Sequence, residues 1–153
     1  MTISGGEIFL DLLQSYGVEY IFCSPGTEWT PVWEALLKRY AQGDNSLKYI
    51  NCRHEMLAVS VAMGYAEVTG RLPAVLLHSG AGVLHGSMAI RNACIAKVPM
   101  VVFSGETYEH TGDAEVKPQG WHWLGLLSDI GGPESFLKLF RCECDHLINP
   151  TGI

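Results

Sequence analysis

Four short apolar runs, "VEYIFC", "LKYIN", "PAVLLH" and "PMVVFSG", recur along the chain with helical stretches between them. Alternating apolar and polar residues would mark strands with one wet face, whereas continuous runs of this kind mark strands covered on both faces. Parallel neighbours also require a crossover of about a dozen residues or more, usually a helix. The expected fold class is therefore α/β, with a parallel sheet sandwiched between helices.

The helices carry their own punctuation. Ser4 and Glu7 have the S-x-x-E spacing of a capping box ahead of "IFLDLLQSYGV", where Ile8, Leu12 and Leu13 lie near one face and Gly17 supplies the stop. Thr30 and Pro31 open a second helix to about Lys38. A third runs from about His54 to Val68 and stops around Gly70, and "LHGSMAIRNACIAK" forms a fourth after the turn "SGAGV". Beyond Glu106 the pattern weakens: "ETYEHTGDAEVKPQG" reads as a loop, "WHWLGLLSDI" as a short apolar element, and "GGPESFLKLF" begins with turn residues.

Composition narrows the function classes. The 153 residues suit one domain, and 48% hydrophobic against 17% charged residues describes a globular chain with a generous core. The formal net charge is −6 and the Lys and Arg residues are scattered, which argues against a nucleic-acid partner. Neither a basic leader nor an apolar run of transmembrane length is present, so a cytoplasmic location is expected, with an organelle left open. Five cysteines, odd in number and irregularly spaced, do not form a secreted disulfide framework. Cys142, Cys144 and His146 sit too close together for a usual zinc loop and read as ordinary side chains.

Ligands of open parallel sheets gather outside the carboxyl ends of the strands. Three segments should meet there: Ser24 to Thr27, Arg53 to Glu55, and His78 to Gly82. "GAGVLHG" suggests a dinucleotide fingerprint, but its third glycine would fall at His85, and it stands in the third strand–helix unit where the fingerprint normally occupies the first. Ser79 lacks the glycine two positions earlier that a hydrolase nucleophile elbow needs.

Glu55 is the charged group that opens the third helix. As a plain capping acid it would gain about 0.3–1 kcal/mol from the helix dipole. However, Met56, Leu57, Val59, Val61 and Met63, with Ala58, Ala62, Gly64 and Ala66, leave this helix no solvent-facing stripe. It is expected to be buried all round, or buried on one side by another subunit. An acid at its end is partly desolvated, which favours a protonated or proton-sharing form suited to exchange with a heterocyclic nitrogen.

"RHE", then "GYA", "TG", "SGAG" and "VPMVVFSGE", together with "SPG" after the first strand, resemble the pyrimidine-binding (PYR) domain of thiamine-diphosphate enzymes. The similar group comprises acetolactate synthase, benzoylformate decarboxylase and benzaldehyde lyase. The resemblance covers about residues 3–140 and leaves 141–153 as an irregular tail. It implies that Glu55 hydrogen-bonds N1′ of the aminopyrimidine and promotes the tautomer that generates the cofactor's carbanionic nucleophile, which attacks a 2-keto acid or aldehyde. Pro25, Gly26 and Thr27 match the loop bordering the active site, and Ser79, Gly80 and Gly82 the glycine-rich turn. His78 matches a position where some decarboxylases keep an active-site histidine, and it reads equally well as a half-buried histidine at a strand end. Gln119 resembles a glutamine on the flavin side of acetolactate synthases.

Two departures bear on function. His85 stands where the family usually has asparagine. The GDG motif that holds diphosphate and Mg²⁺ has no counterpart, since Gly112 and Asp113 are followed by Ala114, and the middle domain is not represented either. The resemblance thus implies half of a thiamine diphosphate site, inactive alone, completed by a diphosphate-binding domain or subunit that brings the Mg²⁺ within a homo- or hetero-oligomer. FAD is compatible but unsupported. The alternative is a non-catalytic PYR-like module that docks on a full-length relative and regulates it.

Overall fold

A computed structural model describes residues 3–104. The elements are α1 (Gly5–Ser15), β1 (Tyr20–Ser24), α2 (Thr30–Ala41), β2 (Lys48–Asn51), α3 (Glu55–Thr69), β3 (Ala74–Leu77), α4 (Ala81–Ile95) and β4 (Val101–Ser104). A single 3₁₀ turn, Thr27–Trp29, joins β1 to α2. Among the described residues no helix is long and apolar enough to cross a membrane.

All four strands run parallel in the order β2-β1-β3-β4. Because successive side chains of a strand point to opposite faces, the two central strands feed two separate cores. Ile21 and Cys23 of β1 and Ala74 and Leu76 of β3 join Leu10, Leu13, Val32 and Leu36 beneath α1 and α2. Phe22, Val75 and Leu77 face the other way and join Ala58, Val59, Ala62 and Ala89 of α3 and α4. The expected sandwich is thus present, with one helix pair on each face.

The local signals account for the boundaries. Ser4 accepts from Glu7 N while the Glu7 carboxylate accepts from Ser4 N at 2.8 Å, so the capping box is formed. Gly70 ends α3 in the left-handed region at φ 66°. The inward face of α1 differs from the expected one: Gly6, Leu10 and Leu13 are buried, whereas Ile8 and Leu12 are exposed. Gly6 decides the rotation, because its bare Cα lies against the Pro31 carbonyl of α2, where a Cβ would collide. Helix α4 also starts earlier than expected, at Ala81, since Gly80 alone makes the turn at φ 54°.

Helix α3 is not buried all round. It buries Ala58, Val59, Ala62 and Ala66, while Met56, Val61, Val68 and Leu57, which is 50% exposed, face outward. Its small buried residues let it approach α4 closely, and its large apolar ones are left on the outside. Met88 and Ile95 of α4 are exposed as well.

The thiols of Cys23, Cys52 and Cys94 form no disulfide. Burial pushes the Cys23 thiol up to about 12, which makes it a packing group rather than a nucleophile.

Two outcomes are expected. Leu76→Ala empties a fully buried site at the centre of the sheet and should lower stability by about 2–5 kcal/mol, read from the urea midpoint. The hydrogen bond from Lys38, followed by that of the Ser4 amide, holds the Glu7 carboxyl down at about 2. Its folded value therefore lies below its ordinary one of 4.5, and its contribution is present above that value and lost as pH falls towards the lower one. The melting-temperature gap between wild type and Glu7→Gln should accordingly be open at neutral pH and shut by about pH 2.

Candidate functional site

Strands β1 and β3 lie side by side, yet the chain leaves β1 towards β2 on one flank and leaves β3 towards β4 on the other. Their carboxyl ends consequently frame a crevice, the topological switch point at which such sheets bind ligands. Ser24 and Leu77 are paired in register at its base. The loops Pro25–Thr27 and His78–Gly80 rise on its two sides.

The two loops are stapled together. The Trp29 indole Nε1 donates to the Leu77 carbonyl at 2.9 Å in a buried hydrogen bond. Glu28, one residue earlier, reaches across so that its Oε1 accepts from Ser79 N at 2.9 Å. The same carboxylate lies 2.8 Å (Oε1) and 3.0 Å (Oε2) from His78 Nδ1. Gly26 is required by close approach, because a Cβ there would fall inside the van der Waals radii of both His78 Nδ1 and Glu28 Oε2. The sequence reading placed Ser24 to Thr27 at the site but stopped at Thr27, so Glu28 and Trp29 were missed. The available signal was an acid and an indole directly after a Pro-Gly turn at a strand's carboxyl end.

Glu55 enters from β2. Cys52 N bonds the Cys23 carbonyl at 2.7 Å, carrying the chain past β1. His54 then caps α3 with Nδ1 accepting from Met56 N at 3.2 Å. This places Glu55 in the first turn with its side chain 14% exposed. Gly82 connects it to the neighbouring loop: a Cβ there would lie 2.9 Å from His78 Cβ and 3.4 Å from Glu55 Cγ and Oε1. Gly86, one turn on, faces Glu55 Cβ and Val59. The helical glycines therefore let α4 close over the Glu55 stem, and they bring Glu55 and His78 to opposite sides of one backbone position.

Among the described residues the side chain at ion-pair distance from Glu55 is His85, with Nδ1 3.5 Å from Oε2. The His85 ring stacks on that of His54 at 5.7 Å between centroids. The donor atoms of His54, Glu55 and His85 lie within 4.8 Å of one another, a nitrogen and oxygen set of the type that borderline divalent cations accept; the sequence had assigned no metal there. Glu55, His78, Ser79, Gly80, Gly82 and the Pro25–Thr27 loop are thus gathered at one end of the sheet. Gln119, the Gly112–Ala114 segment and the Cys142, Cys144 and His146 group lie outside the described residues.

Residues 3–122 match the family described as thiamine pyrophosphate enzyme, N-terminal TPP binding domain. The chain is 36% identical over 104 residues to the acetolactate synthase large subunit of Haemophilus influenzae, covering 68% of this chain and 17% of that protein. It is likewise 36% identical over 103 residues to the mitochondrial acetolactate synthase catalytic subunit of Aspergillus candidus, covering 67% of this chain and 14% of that one. The fold superimposes on the thiamine diphosphate-dependent 4-hydroxybenzoylformate decarboxylase of Rhodococcus jostii with TM-score 0.65 and 26% identity, over 81% of this chain and 22% of the decarboxylase. The chain therefore spans less than a fifth of the length of the two acetolactate synthases and under a quarter of the decarboxylase. On the strength of the parallel sheet, the gathered loops and these matches, the chain belongs to the thiamine pyrophosphate enzyme family, as an acetolactate synthase-like N-terminal TPP-binding domain.

Proposed function

We propose that this chain forms the pyrimidine half of a thiamine-diphosphate site in an acetolactate synthase-like carboligase or 2-keto acid decarboxylase, and that Glu55 is the group that activates the cofactor. The observation that carries the reading is the Glu55 carboxyl itself. It is 14% exposed at the first turn of α3, backed by Gly82 and Gly86, and has among the described residues only His85 at ion-pair range. A carboxyl so enclosed keeps one lone-pair direction for an incoming protonatable ring nitrogen.

The donor set fits the aminopyrimidine and not the diphosphate. Glu55 offers a proton-sharing carboxyl, and Gly26, Gly80 and Gly82 offer backbone without a side chain in the way. A diphosphate needs a divalent metal and oxygen ligands, which this reading assigns to a partner domain along with the Mg²⁺. When bound, thiamine diphosphate supplies a carbanionic nucleophile for a 2-keto acid or aldehyde carbonyl. The chain's residues do the rest: Glu55 holds and shares one proton at its carboxylate, Pro25 to Thr27 and Ser79 wall the crevice, and His78 is a second proton-exchanging group beside it. Gln119 belongs to the same reading as a pocket residue, and the PYR unit extends over about residues 3–140. The exposed Met56 and Leu57, which follow Glu55 directly in the first turn of α3, support a covered, composite site.

Calorimetric titration of Mg²⁺ and thiamine diphosphate into the chain should show no binding alone. Binding should appear when the chain is co-expressed with the middle and diphosphate-binding domains of an acetolactate synthase. In that pair Glu55→Gln should reduce turnover by about 10²–10⁴-fold, the usual worth of a positioned acid–base group, while cofactor affinity changes far less. Tight one-to-one binding by the isolated chain would overturn the half-site. Inhibition of an intact relative, unchanged by Glu55→Gln, would instead identify a regulatory module.

A further inference from the structure

Glu28 is a carboxylate with a side chain only 4% exposed, held away from water at the carboxyl end of the sheet. Burying such a charge is costly unless it is paired and hydrogen-bonded. Its partners are few and specific: the backbone amide of Ser79 at 2.9 Å and the Nδ1 of His78 at 2.8 Å. An ionised carboxylate only accepts, and an amide N–H only donates. Both contacts are therefore satisfied together when His78 Nδ1 carries a proton and donates it to Glu28. The partner ring is half open to solvent, with its side chain 48% exposed.

We infer that Glu28 is a positioning residue that locks His78 as the Nδ1–H tautomer and leaves Nε2 as the nitrogen that exchanges protons at the switch-point crevice. The lock is built by three independent features of the loop. The 3₁₀ turn fixes Glu28, the Trp29 indole bond to Leu77 ties that turn to β3, and the absence of a side chain at Gly26 leaves the space where carboxylate and imidazole meet. Orientation of an imidazole by a buried carboxylate is the logic of acid–base triads on unrelated folds. The proton balance is simple. Charged His78 would give its Nε2 proton to a carbonyl oxygen as a nucleophile adds to the carbonyl carbon: the C–nucleophile and O–H bonds form, the C=O π bond and the Nε2–H bond break, and His78 is left as the neutral Nδ1–H form. On recovering the proton it is again an imidazolium facing the Glu28 carboxylate. The catalytic use of Nε2 rests on the thiamine-diphosphate reading above, whereas the tautomer lock does not.

The test separates the two. Long-range proton–nitrogen spectra of the ¹⁵N-labelled 153-residue chain at alkaline pH should show His78 as the Nδ1–H tautomer. In Glu28→Gln, where the amide can donate to Nδ1, the population should move to Nε2–H while the His54 and His85 patterns stay. An Nε2–H tautomer in the wild type, or a tautomer unaltered by Glu28→Gln in a folded chain, would overturn the lock. The wild-type spectrum decides the matter even if the variant does not fold. In the reconstituted enzyme, Glu28→Gln should lower kcat by about tenfold or more, with the ~10²–10⁴-fold worth of a positioned acid–base group as the upper bound. It should also change the pH profile while leaving cofactor affinity unaltered, and an unaltered pH profile would overturn the positioning role. If the wild-type pair is itself inactive while the tautomer is as stated, the thiamine-diphosphate reading has failed and the lock stands.

Discussion

The parallel pairing of β1 with β3 is the constraint on which the remaining structure depends. Two strands buried on both faces must send alternate side chains into two different cores, and they do: Cys23 and Leu76 go to one side, Phe22 and Leu77 to the other. Each core then needs its own cover, which α1 with α2 and α3 with α4 provide. Because the outer strands are added on opposite flanks, the connections diverge at the carboxyl ends of the central pair. The crevice is a consequence of the strand order rather than a separate feature.

Into that crevice the fold delivers two acids in contrasting settings. Glu28 is engaged by donors from Ser79 and His78 and is enclosed by the loop that bears it. Glu55 is nearly as enclosed, but it meets only the looser His85 contact at 3.5 Å among the described residues. A buried carboxylate already engaged by a backbone amide and an imidazole orients its partner, whereas a carboxyl with spare acceptor capacity is available to an incoming donor. The glycines sort along the same division: Gly26 makes room for Glu28 and His78, and Gly82 and Gly86 make room for Glu55.

The amphipathic balance of α3 links the site to the molecule's surroundings. Its alanines face α4 and the sheet, while Met56, Leu57, Val61 and Val68 are outside. Such an arrangement is inverted relative to an ordinary surface helix, where the large apolar residues would be turned inward. The proposed composite site gives Met56 and Leu57 a cover at the end of the helix where Glu55 begins.

Much of this was legible in residues 3–104. The apolar runs declared buried parallel strands, the Ser4 and Glu7 pair and Gly70 marked helix ends, and Glu55 stood out because a charge opening an apolar helix is expensive unless it is used. The inward face of α1 was not legible, since Ile8 and Leu12 are as apolar as Leu10 and only the contact of Gly6 with Pro31 sets the rotation. Neither was the Glu28–His78 pair, whose members stand 50 positions apart. Periodicity reports what one segment prefers, so the sequence by itself determined the elements, their parallel association and the acid at the head of α3. Which side chains meet across the crevice was decided by strand order and by where a missing Cβ lets two backbones close, and those are properties only of the assembled fold.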